Sequence, residues 1–313
     1  MTVLALAGES PPALAQEFPS KVIRIIVPYT PGSPNDVLAR LLVQQLQGRF
    51  SQPVVVDNKP GGGTTIGSKL AASSPPDGHT LLFSSSALVI EPAMNKQIEY
   101  DPQKDFTPIA FVATTACLLT INVEVPANSV PEFVDYAKAR PGKLSLGFAQ
   151  GTVSQLVGEY FNRIHGLDIT RVPYRGGALV IPDMLGGRIT MYWPTPATGV
   201  PLIRDGKIKV LAVTSPQRSP DLPQVPTMKE LGSDELSLEY WAGVWAPAGT
   251  PADVVTKLNA VINEALRSPD MTASLKKLGF ETRIGSPQDF ANFVEAEIPR
   301  WATVVKTSGV KSQ

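Results

Sequence analysis

The chain has 313 residues, enough for one large domain or two medium lobes with real cores. With 43% hydrophobic and 18% charged residues, it is neither a disordered chain, a collagen nor a disulfide scaffold. Twenty-eight basic residues balance 28 acidic ones, which excludes a general attraction to nucleic acid or anionic lipid.

At the start, Ala13-Leu14-Ala15 before Gln16 forms a small-x-small cleavage pattern after an apolar stretch, which marks residues 1–15 as a secretory-signal remnant. No stretch approaches the roughly 18 consecutive apolar residues of a membrane span. Lys21–Tyr29 reads as a buried strand, and Thr30–Asn35 turns into a helix over Asp36–Phe50. The same grammar repeats as a strand at Pro53–Asp57, a loop at Asn58–Gly63 and a helix near Thr64–Ser73. Thr80–Ser84 is a strand ending in the loop Ser84-Ser85-Ser86, and Phe106–Asn122 holds two strand-like runs around the lone Cys117, read as a core residue.

Ser129 caps a helix to Arg140, with Glu132 three residues on and Pro141-Gly142 as its stop. Strands at Leu144–Phe148, Ile169–Tyr174, Ile189–Trp193 and Lys207–Thr214 alternate with helices at Thr152–His165 and Ala178–Leu185. This alternation predicts α/β lobes with mostly parallel sheets. A proline-rich crossing follows Thr214, then Leu238–Pro247 and helices at Ala252–Arg267, Met271–Leu278 and Pro287–Thr307. The 30 prolines, about twice the usual ~5%, point to rigid connections between short elements. The expected organisation is a discontinuous first lobe, 16–121 plus 240–313, and a second lobe, 122–239, with a ligand cleft between them.

Gly61 to Gly67 has glycines spaced as in a phosphate cradle, but no acidic residue follows about 20 positions on to hold a ribose, so a smaller anion suits the loop better. The two histidines, His79 and His165, sit in a turn and at a helix end and read as structural. No nucleophile elbow, zinc-binding pair or Cys/His cluster is present, so the expectation is no enzyme, no metal and no cofactor. What recurs is a loop that ends a strand and opens a helix: Thr30–Asp36, Gly61–Thr65, Ala149–Thr152 and Arg175–Gly177. Each aims helix N-terminal N–H donors beyond the strand ends, which together make a carboxylate pocket; capping alone would also account for any one of them.

Short motifs run in order from about Phe18 to Gly309: Pro19-Ser20-Lys21, the Pro31-Gly32 turn with Asp36 and Arg40, Pro75-Pro76-Asp77-Gly78-His79, Asp105-Phe106-Thr107-Pro108, Val172-Pro173-Tyr174-Arg175-Gly176-Gly177 and Ala246-Pro247-Ala248-Gly249-Thr250-Pro251. In these the chain resembles the Bug-type periplasmic solute-binding proteins of tripartite tricarboxylate transporters. The resemblance implies a type II periplasmic-binding-protein fold in which two α/β lobes close on a small carboxylate held by backbone groups and water. Carried onto this chain, the first wall is Tyr29, Thr30, Pro31, Gly32, Ser33 and Asn35, with Gly63, Thr64, Thr65, Ser84, Ser85 and Ser86. The opposing wall is Phe148, Ala149, Gln150, Gly151, Thr152, Tyr174, Arg175, Gly176, Gly177, Trp193, Pro194 and Thr195.

Departures from the family pattern fall on these walls. Ser33-Pro34 replaces a second glycine and stiffens the first loop, and Trp193-Pro194 stands where the family has Phe-Asp. Loss of that acid beside Phe148 and Trp193 leads to an expected preference for an aromatic carboxylate. The implied partners are this ligand and the membrane permease subunits of the transporter, with no nucleic acid, for a monomer in the periplasm of a Gram-negative type cell. A ligand-sensing subunit for a membrane kinase, or an enzyme acting on an aromatic acid, are the alternatives.

Overall fold

The computed structural model describes residues 18–309 apart from Lys96, Gln150, Gly151 and Arg175, so the expected signal remnant at 1–15 lies outside the described residues. The chain runs through β1 (Ile23–Val27), α1 (Pro34–Leu46), β2 (Val54–Asn58), α2 (Thr65–Ala72), β3 (Thr80–Ser85), α3 (Ala87–Met94) and the long β4 (Phe106–Ala116). It continues through β5 (Leu118–Asn122), α4 (Val130–Lys138), β6 (Leu144–Ala149), α5 (Val153–Ile164), β7 (Ile169–Tyr174), α6 (Val180–Leu185), β8 (Met191–Tyr192), α7 (Pro196–Arg204) and β9 (Ile208–Val213). It closes with β10 (Glu239–Pro247), α8 (Ala252–Leu266), α9 (Pro269–Lys277), β11 (Glu281–Thr282) and α10 (Pro287–Ser308).

These strands form two sheets, ordered β11-β4-β10-β3-β1-β2 and β7-β6-β8-β5-β9. Both are mixed rather than mostly parallel. β10 lies antiparallel between β3 and β4, and β5 lies antiparallel between β8 and β9. The reason is the crossing: strands that carry the chain between sheets run against those built from strand-helix-strand units. The chain leaves the first sheet at Cys117, not after residue 121, because Leu118–Asn122 already pair with β8 and β9. One uninterrupted apolar run hides that change of partner.

Strand direction places the cleft. Ser85, the last residue of β3, lies opposite Ala242 near the start of β10, where the chain has just returned from the second sheet. β1 is parallel to β2 and to β3, so all three carboxyl ends point that way. In the second sheet β8 runs antiparallel to β5, so Tyr192, the end of β8, lies opposite Thr120 in the middle of β5 and points toward the start of that strand, and β6 and β7 run parallel to β8. The carboxyl ends of both sets therefore face one another across the crossings. Cys117 is pinned there: its N–H donates to Thr214 Oγ1 at 2.8 Å, and its carbonyl accepts from the Thr214 N–H at 3.0 Å.

Two helices escape the sequence pattern, α3 with Pro92 inside it and α7 with Pro201. Proline removes a helical hydrogen bond, which hides both helices from a local pattern. In α3 the carbonyl four residues before Pro92 belongs to Leu88, and the buried Tyr100 hydroxyl donates to it at 3.2 Å. A side chain from outside the helix thus supplies the bond that proline removes. The expected helix at Ala178–Leu185 is a tight 3-10 turn at Gly177–Leu179 followed by the short α6.

All four tryptophans are fully buried. Trp241 on β10 and Trp301 on α10 both donate from Nε1 to Glu297 Oε2, at 3.0 and 2.7 Å, which ties the 22-residue α10 to the returning strand. Replacing this acid by an isosteric hydrocarbon strands two buried N–H groups. Glu297→Leu is therefore expected to lower unfolding free energy by about 2–4 kcal/mol in urea titration; an unchanged midpoint would show that the two indole bonds contribute nothing.

Candidate ligand-binding site

The first wall is built around Asp36, which is 2% exposed. Ser33 caps α1, with its Oγ accepting from the Asp36 N–H at 3.3 Å and Pro34 preset in the first turn. Asp36 Oδ2 accepts from the Gly32 N–H at 2.8 Å and from Arg40 Nε at 2.9 Å, while Oδ1 accepts from Asn58 Nδ2 at 2.8 Å. Asn58, at the end of β2, also donates to the Tyr29 carbonyl at 3.1 Å and accepts from Arg40 at 2.9 Å. Burial works to raise the Asp36 pKa, but the bonds from Arg40, Gly32 and Asn58 outweigh it and hold the carboxyl below its usual range. The loop carrying Thr30, Pro31 and Gly32, all exposed, is thereby fixed to both β2 and α1.

Beneath that loop the Tyr29 hydroxyl meets Ser85 Oγ at 2.7 Å, and the Tyr240 hydroxyl of β10 donates to Asn35 Oδ1. Tyr29, Ser85 and Asn35, expected as ligand contacts, are thus brought together and joined by Tyr240. Beside them, Gly61, Gly62, Gly63 and Thr64 all have positive φ, and Thr65 Oγ1 donates to the Gly62 carbonyl at 2.6 Å. Only glycine takes such angles without strain, so Thr64 at φ 89° is held there by its surroundings. Ser84 and Ser86 are buried; the Ser86 hydroxyl has no hydrogen-bond partner among the described residues, whereas Ser84 lies beside the Tyr29 hydroxyl, and Thr64 and Ser68 lie beside the Tyr100 hydroxyl. Glu91 of α3 packs against this loop: a methyl group built on Gly63 would lie 2.8 and 2.9 Å from its two carboxylate oxygens.

On the second wall, exposed Thr152 caps α5, with its Oγ1 donating to the Ala149 carbonyl at 2.7 Å and accepting from the Gln155 N–H at 3.4 Å. Gln155 donates along the helix to Glu159 at 3.0 Å. The Tyr174 hydroxyl is occupied by Asp183 at 2.7 Å. Gly176 and Gly177 are half-buried, and Gly177 lies directly against the Tyr192 hydroxyl. Gln150, Gly151 and Arg175 lie outside the described residues. Pro194 and Thr195 stand at the crossing, where the Leu118 N–H donates to the Pro194 carbonyl at 2.9 Å and Thr195 opens α7.

Phe148 and Trp193 are in the core of the second lobe rather than at the cleft. Phe148 is 4% exposed and shares its face of β6 with Leu144 and Leu146 against α5; Trp193 is wholly buried, its ring centroid 5.5 Å from that of Phe161. Period-2 alternation decides this for Phe148, because a residue at a strand end still points to whichever face its register assigns; Trp193 lies just beyond β8, packed against Phe161. Asn58, Tyr240, Glu91 and Tyr192 lie at or under the walls without having been nominated. Only the Asp36/Arg40 pair carried a local signal, opposite charges four residues apart on one helix.

A separate cavity of about 460 Å³ opens beside the returning strand, lined among others by Glu239, Arg283, Glu297 and Arg300. Two of its acids are already engaged. Glu297 holds two indoles, and Glu239, pushed up to about 7 by burial against the opposing pull of Arg283, has that guanidinium 3.6 Å away.

Two lobes whose strand ends and helix starts oppose each other can enclose a small anion. A family model for the tripartite tricarboxylate transporter family receptor matches residues 38–310. The chain belongs to that family. It is 36% identical over 311 residues to Protein BugT of Bordetella pertussis, covering 98% of this chain and 95% of that protein. Among solved structures, it is similar to an R. palustris protein with adipate at 35% identity and a TM-score of 0.79, covering 94% of this chain and 99% of that one. It is also similar to MatC from Rhodopseudomonas palustris with bound malate, at 31% identity and a TM-score of 0.76, covering 92% and 100%. The periplasmic binding protein BugD, at 32% identity and a TM-score of 0.77, shares the fold, so the receptor has the two-lobed α/β architecture of such proteins. Among the described residues no helix is long and apolar enough to cross a membrane.

Because Asp36 ties three segments, Asp36→Ala is expected to cost about 2–3 kcal/mol by chemical denaturation. The depressed carboxyl stabilises the fold fully above its ordinary value of 3.8, and that contribution is lost as pH falls through the lower folded value. The stability gap between wild type and variant should accordingly narrow in strongly acidic buffer; a gap constant with pH would argue against an ionic origin.

Proposed function

We propose that this receptor captures a small carboxylate in the periplasm, between the facing strand ends, and delivers it to the permease subunits of a tripartite tricarboxylate-type transporter. The observation that carries the reading is the opposition of loop-and-helix starts across the gap: α1 and α2 on one side, α5 and α7 on the other. Their N-terminal N–H groups supply fixed positive ends without a base or nucleophile, which suits binding rather than turnover. The first of these loops is held rigid by Asp36, so little ordering remains to be done when ligand arrives. Adipate and malate, present in the two relatives above, are short aliphatic acids and support the class.

The preference for an aromatic acid rested on Phe148 and Trp193, and their place in the core removes that support, so the class is widened to aliphatic acids. Closure would be a hinge motion at the two crossings, favoured by ligand touching both walls. A thermal-shift screen with adipate, malate, citrate and benzoate tests this. At a hundredfold excess over Kd, a true ligand is expected to raise Tm by about 4 °C. Stabilisation by benzoate alone would restore the aromatic reading, and no shift with any carboxylate would sink the proposal.

A further inference from the structure

Glu91 stands apart from the other carboxylates around the cleft. Asp36 accepts three hydrogen bonds, whereas Glu91 receives none from the described residues. It is half-buried one turn into α3, with its carboxyl group against Gly63, in a loop that has space for it only because Gly63 lacks a side chain. The hydroxyls of Thr64, Ser68, Ser84 and Ser86, all more than nine-tenths buried, belong to the same loop, helix start and strand end. Thr64 and Ser68 lie beside the Tyr100 hydroxyl, which gives its proton to the Leu88 carbonyl, and Ser84 and Ser85 lie beside the Tyr29 hydroxyl, while Ser86 has no partner among the described residues. Buried hydroxyls and one acid without donors form a polar seat at the cleft edge of the first lobe.

We propose that Glu91 is a specificity-determining residue of this wall, meeting the bound carboxylate as a neutral acid, so that ligand and one proton are taken up together. The inference rests on the carboxylate reading above. A neutral carboxyl has an O–H to donate to an incoming anion, while an ionised one has only lone pairs and repels it. Burial pushes the Glu91 carboxyl up to about 7, so both forms are populated near neutrality.

Among the described residues its surroundings supply no free counter-charge. The titratable groups that feel it are Tyr29, from the loop after β1, and Tyr100, from the segment after α3. On α2, Lys69 is paired with Glu99. On α10, which packs against α3, Glu297 is held by the two indoles and pairs with Arg300 at 3.4 Å, while Asp289, Glu295 and Lys306 are exposed. β3 contributes no ionisable side chain. Among the described residues, then, a proton is the one means of neutralising Glu91 when an anion binds beside it.

The sign follows. Ligand selects the protonated form, so apparent affinity scales with the protonated fraction and falls as pH rises through about 7. Calorimetric titration of the full chain with adipate and with benzoate, in two buffers of different ionisation enthalpy, reads both affinity and proton uptake. For whichever probe binds, wild type is expected to lose about 30-fold in affinity between about pH 6 and about pH 8.5, with uptake approaching one proton per ligand at the upper end. Glu91→Gln should show no uptake and no pH dependence over this range. Glu91→Asn, which places less bulk against Gly63, should behave alike if the glutamine variant folds poorly. An affinity that is flat with pH in wild type, or a pH dependence that survives in both variants, overturns the proposal. Binding of neither probe by wild type at any pH counts against the carboxylate reading itself and removes the proposal with it.

Discussion

The antiparallel insertion of β10 between β3 and β4 decides which loops reach the cleft. A returning strand must begin where the chain arrives from the second sheet, and antiparallel pairing forces the last residues of β3 to that same end. With β1 and β2 parallel to β3, three loops follow without further instruction. β5 does the same for the second sheet by pairing antiparallel with β8. Among the described residues the outgoing crossing is clasped by Thr214, and α10 packs on α3 of the first lobe and α5 of the second, so the lobes are joined by a shared helix as well as by their connections.

On the first wall, two carboxylates of the same lobe are driven in opposite directions by their neighbours. Asp36 has three donors and stays ionised at any ordinary pH, acting as a structural anion that ties loop, helix and strand. Glu91 has burial without donors, so its charge is conditional. The distinction is one of local supply of N–H groups rather than of acid type. Stiffness comes from the same region: Pro28, Pro31 and Pro34 bracket the loop that Asp36 secures, so both chain entropy and hydrogen bonding favour a pre-shaped wall.

Much of the architecture was legible in sequence because it is locally encoded. Ser129 with Glu132 marked α4, and the β-branched run before Pro28 marked β1. The likeness of short motifs identified the family and so the fold. What escaped depends on partners distant in sequence. Pro92 argues against a helix until Tyr100, eight residues on, is seen serving the Leu88 carbonyl. The strand change at Cys117 leaves no trace in hydrophobicity, since both flanking runs are buried. Phe148 and Trp193 occupy the expected chain positions, yet pleat alternation turns Phe148 inward and Trp193 packs on Phe161 just beyond β8, so position along a motif did not predict which side chains meet the gap. Tyr240 and Asn58 reach the first wall through sheet pairing that no local pattern announces.

The lobes also meet at a point where nothing attracts. Gly279, after α9 in the first lobe, sits so close to α7 of the second that a methyl group on it would come within 2.6 Å of the Ala197 nitrogen, while its carbonyl is held by Thr115 Oγ1 at 2.6 Å. The missing side chain is a clearance, in the machinist's sense. Any other residue there would act as a doorstop, so the close approach of one lobe to the other is permitted by an omission rather than drawn by a bond.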